Sequence, residues 1–409
     1  MPHRVFFAAL GWSWALVSWV APSRAADFVQ DRFVIGMWVA PQTQDDLAFR
    51  YREMAEAGFN VVIGNSPVPV EEQLRICDEV GLKALVHAPG GVREWPVNAS
   101  CWGYLLKDEP SAADFPALAK VVSEVRSHRP GRLAYINLFP NYASPAQLGT
   151  TSYDEHVGRF MSEVRPQVLS MDHYPLMRPG IDRRDAYCDN LETLRVHALR
   201  AGIPFWNFFH SMPFADRIDP TEAQVRWQAF AAVAHGAKGI LYFCYWTPGK
   251  GNGGTGEFPK GGAILTAEGR RTRHYEEARR LNAELGRWGP TLMQLTSLGV
   301  RRAHTAQHPG KALAGSPVRN LQHVRNDPPA EFLVGSFRHA DGRRAVLLLN
   351  QDHAYTAWPT VAFDAGEAEV RELDKATGRE AALADDSPEL PGVQLSFGPG
   401  DARLFLLPR

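Results

Sequence analysis

The chain has 409 residues, of which 45% are hydrophobic and 22% charged, with a formal net charge of −1. That length holds more than one core, and the composition is that of a folded globular protein. The near-zero charge argues against a polyanionic partner and hence against nucleic acid, and four scattered cysteines make neither a zinc pattern nor a small disulfide scaffold.

Residues 1–25 begin with His3 and Arg4, continue as an apolar stretch from Val5 to Ala21, and end on the small residues Ser23 and Ala25. This is the pattern of a cleaved export signal, so a secreted or periplasmic protein is expected, without membrane attachment once the leader is removed; an uncleaved anchor is the alternative. Export would permit a disulfide such as Cys77–Cys101, although isolated buried thiols fit the spacing better.

From Phe33 onward one phrase recurs: a short apolar run, a turn, an amphipathic stretch, then Gly or Pro. The runs are Phe33–Val39, Phe59–Asn65, Lys83–Ala88, Gly103–Asp108, Leu133–Phe139, Val168–Tyr174, Pro204–Phe209 and Gly239–Trp246. Continuous apolar strands alternating with helices predict a parallel sheet covered on both faces, and eight of them predict a closed (β/α)8 TIM barrel over residues 26–289. A doubly wound open sheet would need fewer strands and an early phosphate-binding turn. Ser111 with Asp114 predicts a helix cap, as do Asp219, Pro220 and Glu222 at N-cap, N1 and N3, while Gly58, Gly81 and Gly202 predict helix ends.

After a helix around Arg270–Arg287 the texture changes. Residues 290–409 carry the alternating runs Glu331–Phe337, Arg344–Leu349, Glu369–Leu373, Val393–Phe397 and Ala402–Leu407, which predict a small C-terminal all-β sandwich. The stretch Pro309–Pro329 reads as a long loop.

Chemistry-bearing side chains gather at the carboxyl ends of the predicted strands, where barrel enzymes keep their reactive groups. The fourth run, Trp-Gly-Tyr-Leu-Leu-Lys-Asp-Glu-Pro (102–110), ends in Asp108 and Glu109. Adjacent strand residues face opposite ways, so one of the two is expected to meet substrate while the other braces it, with Glu109 the better candidate for a catalytic acid. A second carboxyl is offered by Asp172, in Leu-Ser-Met-Asp-His-Tyr-Pro (169–175), or by Glu257, in the loop Gly249–Gly262 with its seven glycines. Trp38, Tyr174, Tyr245 and Trp246 provide aromatic planes, and Asn65, His87, Asn137, His173, Asn207 and His210 provide polar groups. Aromatic faces with convergent amides, imidazoles and carboxylates suit a sugar, and glycosidic cleavage needs two carboxyl groups. Gly251–Gly256 matches a dinucleotide fingerprint literally but opens no βαβ unit, and the histidines lack a zinc spacing, so neither cofactor nor metal is expected.

The sequence resembles the retaining glycoside hydrolases of the large (β/α)8 clan that includes cellulases, mannanases and β-galactosidases. Asp108-Glu109-Pro110 is similar to the clan's Asn-Glu-Pro at the end of the fourth strand, which implies an acid/base role for Glu109. His173, Tyr174 and Trp246 resemble the clan's substrate contacts on the sixth and eighth strands, and Pro-Gly-Asp-Ala-Arg-Leu-Phe-Leu-Leu (399–407) is similar to appended β-domains. The seventh strand departs from that pattern. It reads Pro-Phe-Trp-Asn-Phe-Phe-His-Ser (204–211), with no acid where the clan places its nucleophile. A glycosidase acting on a polysaccharide or oligosaccharide is therefore expected, with a carbohydrate-binding barrel and a metal-assisted enzyme or lyase as the rival readings.

Overall fold

The computed structural model describes residues 27–249, 262–306, 313–324, 328–389 and 392–409. The predicted leader therefore lies outside the described residues. Among those described, no helix is long and apolar enough to cross a membrane.

The eight predicted strands are present as β1 (Val34–Trp38), β2 (Val61–Ile63), β3 (Lys83–Val86), β4 (Cys101–Asp108), β5 (Leu133–Asn137), β6 (Leu169–Asp172), β7 (Phe205–His210) and β8 (Gly239–Phe243). Between them run α1 (Leu47–Glu56), α2 (Val70–Val80), α3 (Phe115–His128), the short α4 (Pro145–Leu148), α5 (Tyr153–Glu163), α6 (Arg184–Ala201) and α7 (Glu222–Ala234), and α8 (Arg273–Gln294) follows β8. The strands form one parallel sheet in the order β5-β4-β3-β2-β1-β8-β7-β6. A bridge between Leu138 and Met171 closes β5 onto β6. The architecture is a (β/α)8 barrel.

Period-two alternation divides each strand between two cores. Inward positions Val34, Val61, Ile63, Leu85, Trp102, Leu105, Leu133, Tyr135, Trp206, Phe208 and Leu241 fill the barrel, and their outward neighbours join the helix layer. Trp206 stacks on Trp102 at 6.2 Å and on Tyr135 at 5.7 Å, so indole and phenol planes plug the lower barrel. Gly239 makes that plug possible, because a Cβ there would meet the Trp206 ring at 2.7 Å.

Ser111 and Asp114 form the predicted capping box ahead of α3. At α7 the cap falls two residues later than expected, on Thr221 with Gln224. Asp219 is unavailable there because its carboxylate binds His274 and Arg273. All four cysteines are free and buried.

The C-terminal unit adds β9 (Leu295–His304), β10 (Val318–His323), β11 (Glu331–His339), β12 (Arg344–Asn350), β13 (Pro359–Phe363), β14 (Arg371–Leu373), β15 (Glu380–Ala382), β16 (Val393–Gln394) and β17 (Ala402–Leu407). They make a six-stranded sheet, β15-β14-β17-β12-β11-β9, facing a three-stranded one, β10-β13-β16. Strand β10 corrects the loop expected over 309–329. Its buried Val318 and Leu321 are separated by a register shift and polar residues, which hides the alternation from the sequence.

Both faces of the larger sheet are covered. Phe332, Val334, Val346, Leu348, Phe405 and Leu407 face the smaller sheet, whereas Leu333, Phe337, Ala345, Leu347, Leu404 and Leu406 join the barrel's helix-side core. Helix α7 is buried from Trp227 through Ala234 because barrel and sandwich press on it from opposite sides.

Candidate active site

The carboxyl end of β4 brings together what the sequence offered as alternatives. The β4–β5 register shifts between Leu105 and Lys107, and Glu109 adopts a left-handed backbone with φ of 46°. That conformation costs a non-glycine residue on the order of 1 kcal/mol and breaks the strand's alternation. Asp108 and Glu109 therefore both join the acid cluster, Asp108 held through Asn137 and Glu109 beside Asp172. The Glu109 amide donates to the Asn137 carbonyl at 2.8 Å, which fixes the turn.

Asn137, buried at the end of β5, organises the acids. Its Nδ2 donates to Asp108 Oδ1 at 3.1 Å and to Asp172 Oδ1 at 2.9 Å. Its own Oδ1 accepts from Ser170 Oγ at 3.0 Å, and Ser170 pairs with the Tyr135 hydroxyl at 2.8 Å. The chain Tyr135–Ser170–Asn137 fixes the amide's orientation, so that N–H groups rather than the carbonyl face the carboxylates.

Glu109 and Asp172 are neighbours whose protonation is linked. Burial, and then the charge of Asp108, push Glu109 up to about 7, against the hydrogen bond with Asp172 that lowers it. Asp172 is held well above the ordinary carboxylate value by burial and by Glu109 and Asp108, with the Asn137 hydrogen bond opposing. Asp108 is raised by desolvation, countered by Asn137 and His87. Like charges this close disfavour double ionisation, so the Glu109–Asp172 pair retains a proton near neutral pH.

This arrangement carries a stability signature. A carboxyl whose folded value is raised stabilises the fold fully below its unfolded value of 4.5 and loses that contribution as pH rises through about 7. The wild type should therefore lose stability between about pH 5 and about pH 8 relative to Glu109→Gln, as read by urea denaturation at each pH. Parallel curves for the two proteins would contradict the raised value.

The remaining sequence candidates divide by strand parity. Trp38 and Tyr174 are inward, half-buried and above the barrel core, Trp38 meeting Phe208 edge-on at 5.5 Å. His87 stands at the end of β3, its pKa lowered by partial desolvation and raised by the Leu105 backbone and the charge of Asp108. Asn65 holds that residue in place: its Oδ1 accepts from the His87 amide and its Nδ2 donates to the His87 carbonyl, both at 2.9 Å. The amide of Asn65 thus braces β2 to β3.

His210 is inward and fully buried, with neither ring nitrogen partnered among the described residues, and burial drives its pKa down to about 3. A neutral imidazole therefore stands at the end of the seventh strand.

Four candidates face the helix layer instead. His173 Nδ1 pairs with Asn190 Oδ1 at 3.0 Å, and the ring is held neutral, with a pKa pushed down to about 4 by burial. Asn207 accepts from the Tyr187 hydroxyl and donates to the Phe208 carbonyl at 2.9 Å. Tyr245 packs edge-on against Phe59 at 5.6 Å, and Trp246 lies beneath the Arg50 guanidinium at 5.7 Å. None of these four lines the mouth with Glu109. Glu257 lies outside the described residues.

The structure adds groups that the sequence reading missed. Tyr142 lies in the loop after β5, 46% exposed, and feels the charges of Asp172 and Glu109. Arg217 and Phe214 come from the loop after β7, and Phe243 occupies the inward position at the end of β8. Their positions in the loops and strand ends of the barrel's carboxyl face were the available signal. Among the described residues, no three His, Cys, Asp or Glu side chains converge as a metal site.

No family model matches the chain, and no curated protein does. Solved structures similar to it are glycoside hydrolases. A β-galactosidase from Marinomonas ef1 is 12% identical over 62% of this chain and 60% of its own, with a TM-score of 0.46. A family 39 glycoside hydrolase from Bacteroides cellulosilyticus is 12% identical over 92% and 81%, at 0.43. A glucosidase from Croceicoccus marinus is 10% identical over 94% and 98%, at 0.44. The chain thus spans 60% of the length of the first of these. Likeness at such scores adds nothing to the strand order and site geometry given above.

Proposed function

We propose that the chain is an exported glycoside hydrolase that cleaves O-glycosidic bonds in a polysaccharide or oligosaccharide. The observation that carries this reading is a pair of carboxyls, Glu109 and Asp172, both pushed above the ordinary carboxylate range, at the carboxyl end of a (β/α)8 barrel. A general acid works best when its pKa lies near the operating pH. In the proposed step the Glu109 proton passes to the leaving oxygen as the anomeric C–O bond breaks. Water then adds at the anomeric carbon and its proton returns to the carboxyl pair. Asp172, braced by Asn137, shares the pair's proton with Glu109 and so sets when that proton is released. Trp38 and Tyr174 offer ring faces to the sugar, and His87 and Asp108 offer polar edges. No cofactor is invoked.

One observation favours a second reading, a barrel that binds sugar without cleaving it. Strand β7 ends in a buried neutral His210 where the resembling clan has its nucleophile. Screening polysaccharides and aryl glycosides for released sugar separates the two readings. Hydrolysis that disappears in Glu109→Gln supports the enzyme, and saturable binding without turnover on any substrate in the panel supports the binder.

A further inference from the structure

Arg217 is a strongly basic group set among the aromatic rings of the mouth, and among the described residues no acid forms an ion pair with it. The guanidinium lies 5.0 Å from the Phe214 ring centroid and 5.9 Å from those of Tyr142 and Tyr174. Its Nη2 donates to the Tyr142 hydroxyl at 3.2 Å, while Nε is buried with no acceptor among the described residues. The neighbouring acids are engaged elsewhere: Asp216 with Arg178, and Asp219 with Arg273 and His274. Asp172 and Glu109 are near enough to act on the Tyr142 hydroxyl, yet neither forms an ion pair with Arg217.

A guanidinium whose buried N–H finds no protein acceptor is suited to an anion that completes it. Three aromatic faces hold the guanidinium plane, and a planar fork is the geometry that grips a carboxylate through two parallel hydrogen bonds. Tyr142 links the two, accepting a hydrogen bond from this fork and feeling the charges of the acid pair. We propose that Arg217 is a carboxylate-recognising residue and that the substrate is an acidic glycan, a uronic-acid-containing saccharide whose ring carboxylate meets Arg217 while its glycosidic oxygen meets Glu109. This rests on the glycoside hydrolase reading above and adds the substrate class to it.

The test compares oligogalacturonides and para-nitrophenyl glucuronides and galacturonides of both anomers with the same compounds after reduction of the carboxyl to an alcohol. Calorimetric Kd and, where turnover occurs, kcat/KM are measured for the wild type, Arg217→Gln and Arg217→Lys. The wild type should favour at least one acidic ligand over its reduced counterpart by about 100-fold, the worth of a charge-assisted bidentate pair. That ratio should collapse in Arg217→Gln and fall part-way in Arg217→Lys, which keeps the charge but loses the fork. A wild type indifferent to the carboxyl, or a Gln variant that keeps the preference, overturns the inference. Cleavage of neutral glycosides alone overturns it while leaving the hydrolase reading intact. Tight uronide binding without turnover sustains the carboxylate assignment and removes the hydrolase reading. Absence of binding to every compound removes both.

Discussion

Glu109→Gln is expected to lower kcat on an oligosaccharide by about 1,000-fold or more, the upper part of the range for losing a positioned general acid. The amide keeps the size and hydrogen-bonding capacity of the side chain but cannot release a proton. The loss should shrink sharply on a dinitrophenyl glycoside, whose leaving group departs as a stable anion and needs no proton. A Glu109 that only buttressed the left-handed turn after β4 would depress both substrates alike. Steady-state kinetics on the two leaving groups therefore distinguishes proton donation from scaffolding. Equal losses would remove Glu109 from the proton-transfer step.

Gly335→Val should be the most damaging single change to stability. Strand β11 crosses the carboxyl end of α7 so closely that a Cβ on Gly335 would lie 2.4 Å from the Ala234 carbonyl oxygen and 3.0 Å from its Cα. Backbone cannot swing aside as a side chain can, so the sandwich must lift from the barrel. The apolar seam of Leu333, Phe337, Leu347 and Leu404 against α7 would then open. The polar clasp beside it, Arg226 with Glu284 at 2.6 Å and with Asp401 at 2.7 Å, would be strained as well. A loss of about 3 kcal/mol or more is expected, at or beyond the top of the range for overpacking. Gly158→Ala is the contrasting control. Its Cβ would approach nothing nearer than His197 of α6 at 3.6 Å, ordinary contact, and a gain of about 0.5–1 kcal/mol is expected from helix propensity. Urea denaturation of both variants against wild type checks the pair, and a Gly335 variant as stable as Gly158→Ala would contradict the packed seam.

How legible the molecule was depends on which physical signal each residue carries. Parallel strands buried on both faces spell continuous apolar runs, so all eight barrel strands could be read directly. Strand β10 could not, because its two buried residues straddle a register shift and its other side chains are polar. In the site, Glu109, Asp108, Asn137 and Asp172 were legible as acids and an amide at strand ends, but their meeting depends on the left-handed turn at Glu109, which no periodicity announces. Parity would have sorted several others. Trp206 and Phe208 point inward, so Asn207 between them must face α6, and the same reasoning sends His173 outward between Asp172 and Tyr174. Arg217 and Tyr142 come from loops after β7 and β5, and their meeting is set by tertiary placement rather than by any local pattern.

The central claim is that the mouth of the barrel keeps a proton on Glu109 near neutral pH. Carboxyl-carbon NMR titration of glutamate-labelled protein, assigned by the resonance missing from Glu109→Gln, tests it most directly. One glutamate should titrate at about 7. In Asp108→Asn the same carboxyl should titrate lower, since the second of the two causes raising it is the charge of Asp108. A Glu109 that titrates at the ordinary 4.5 and ignores position 108 would contradict the account.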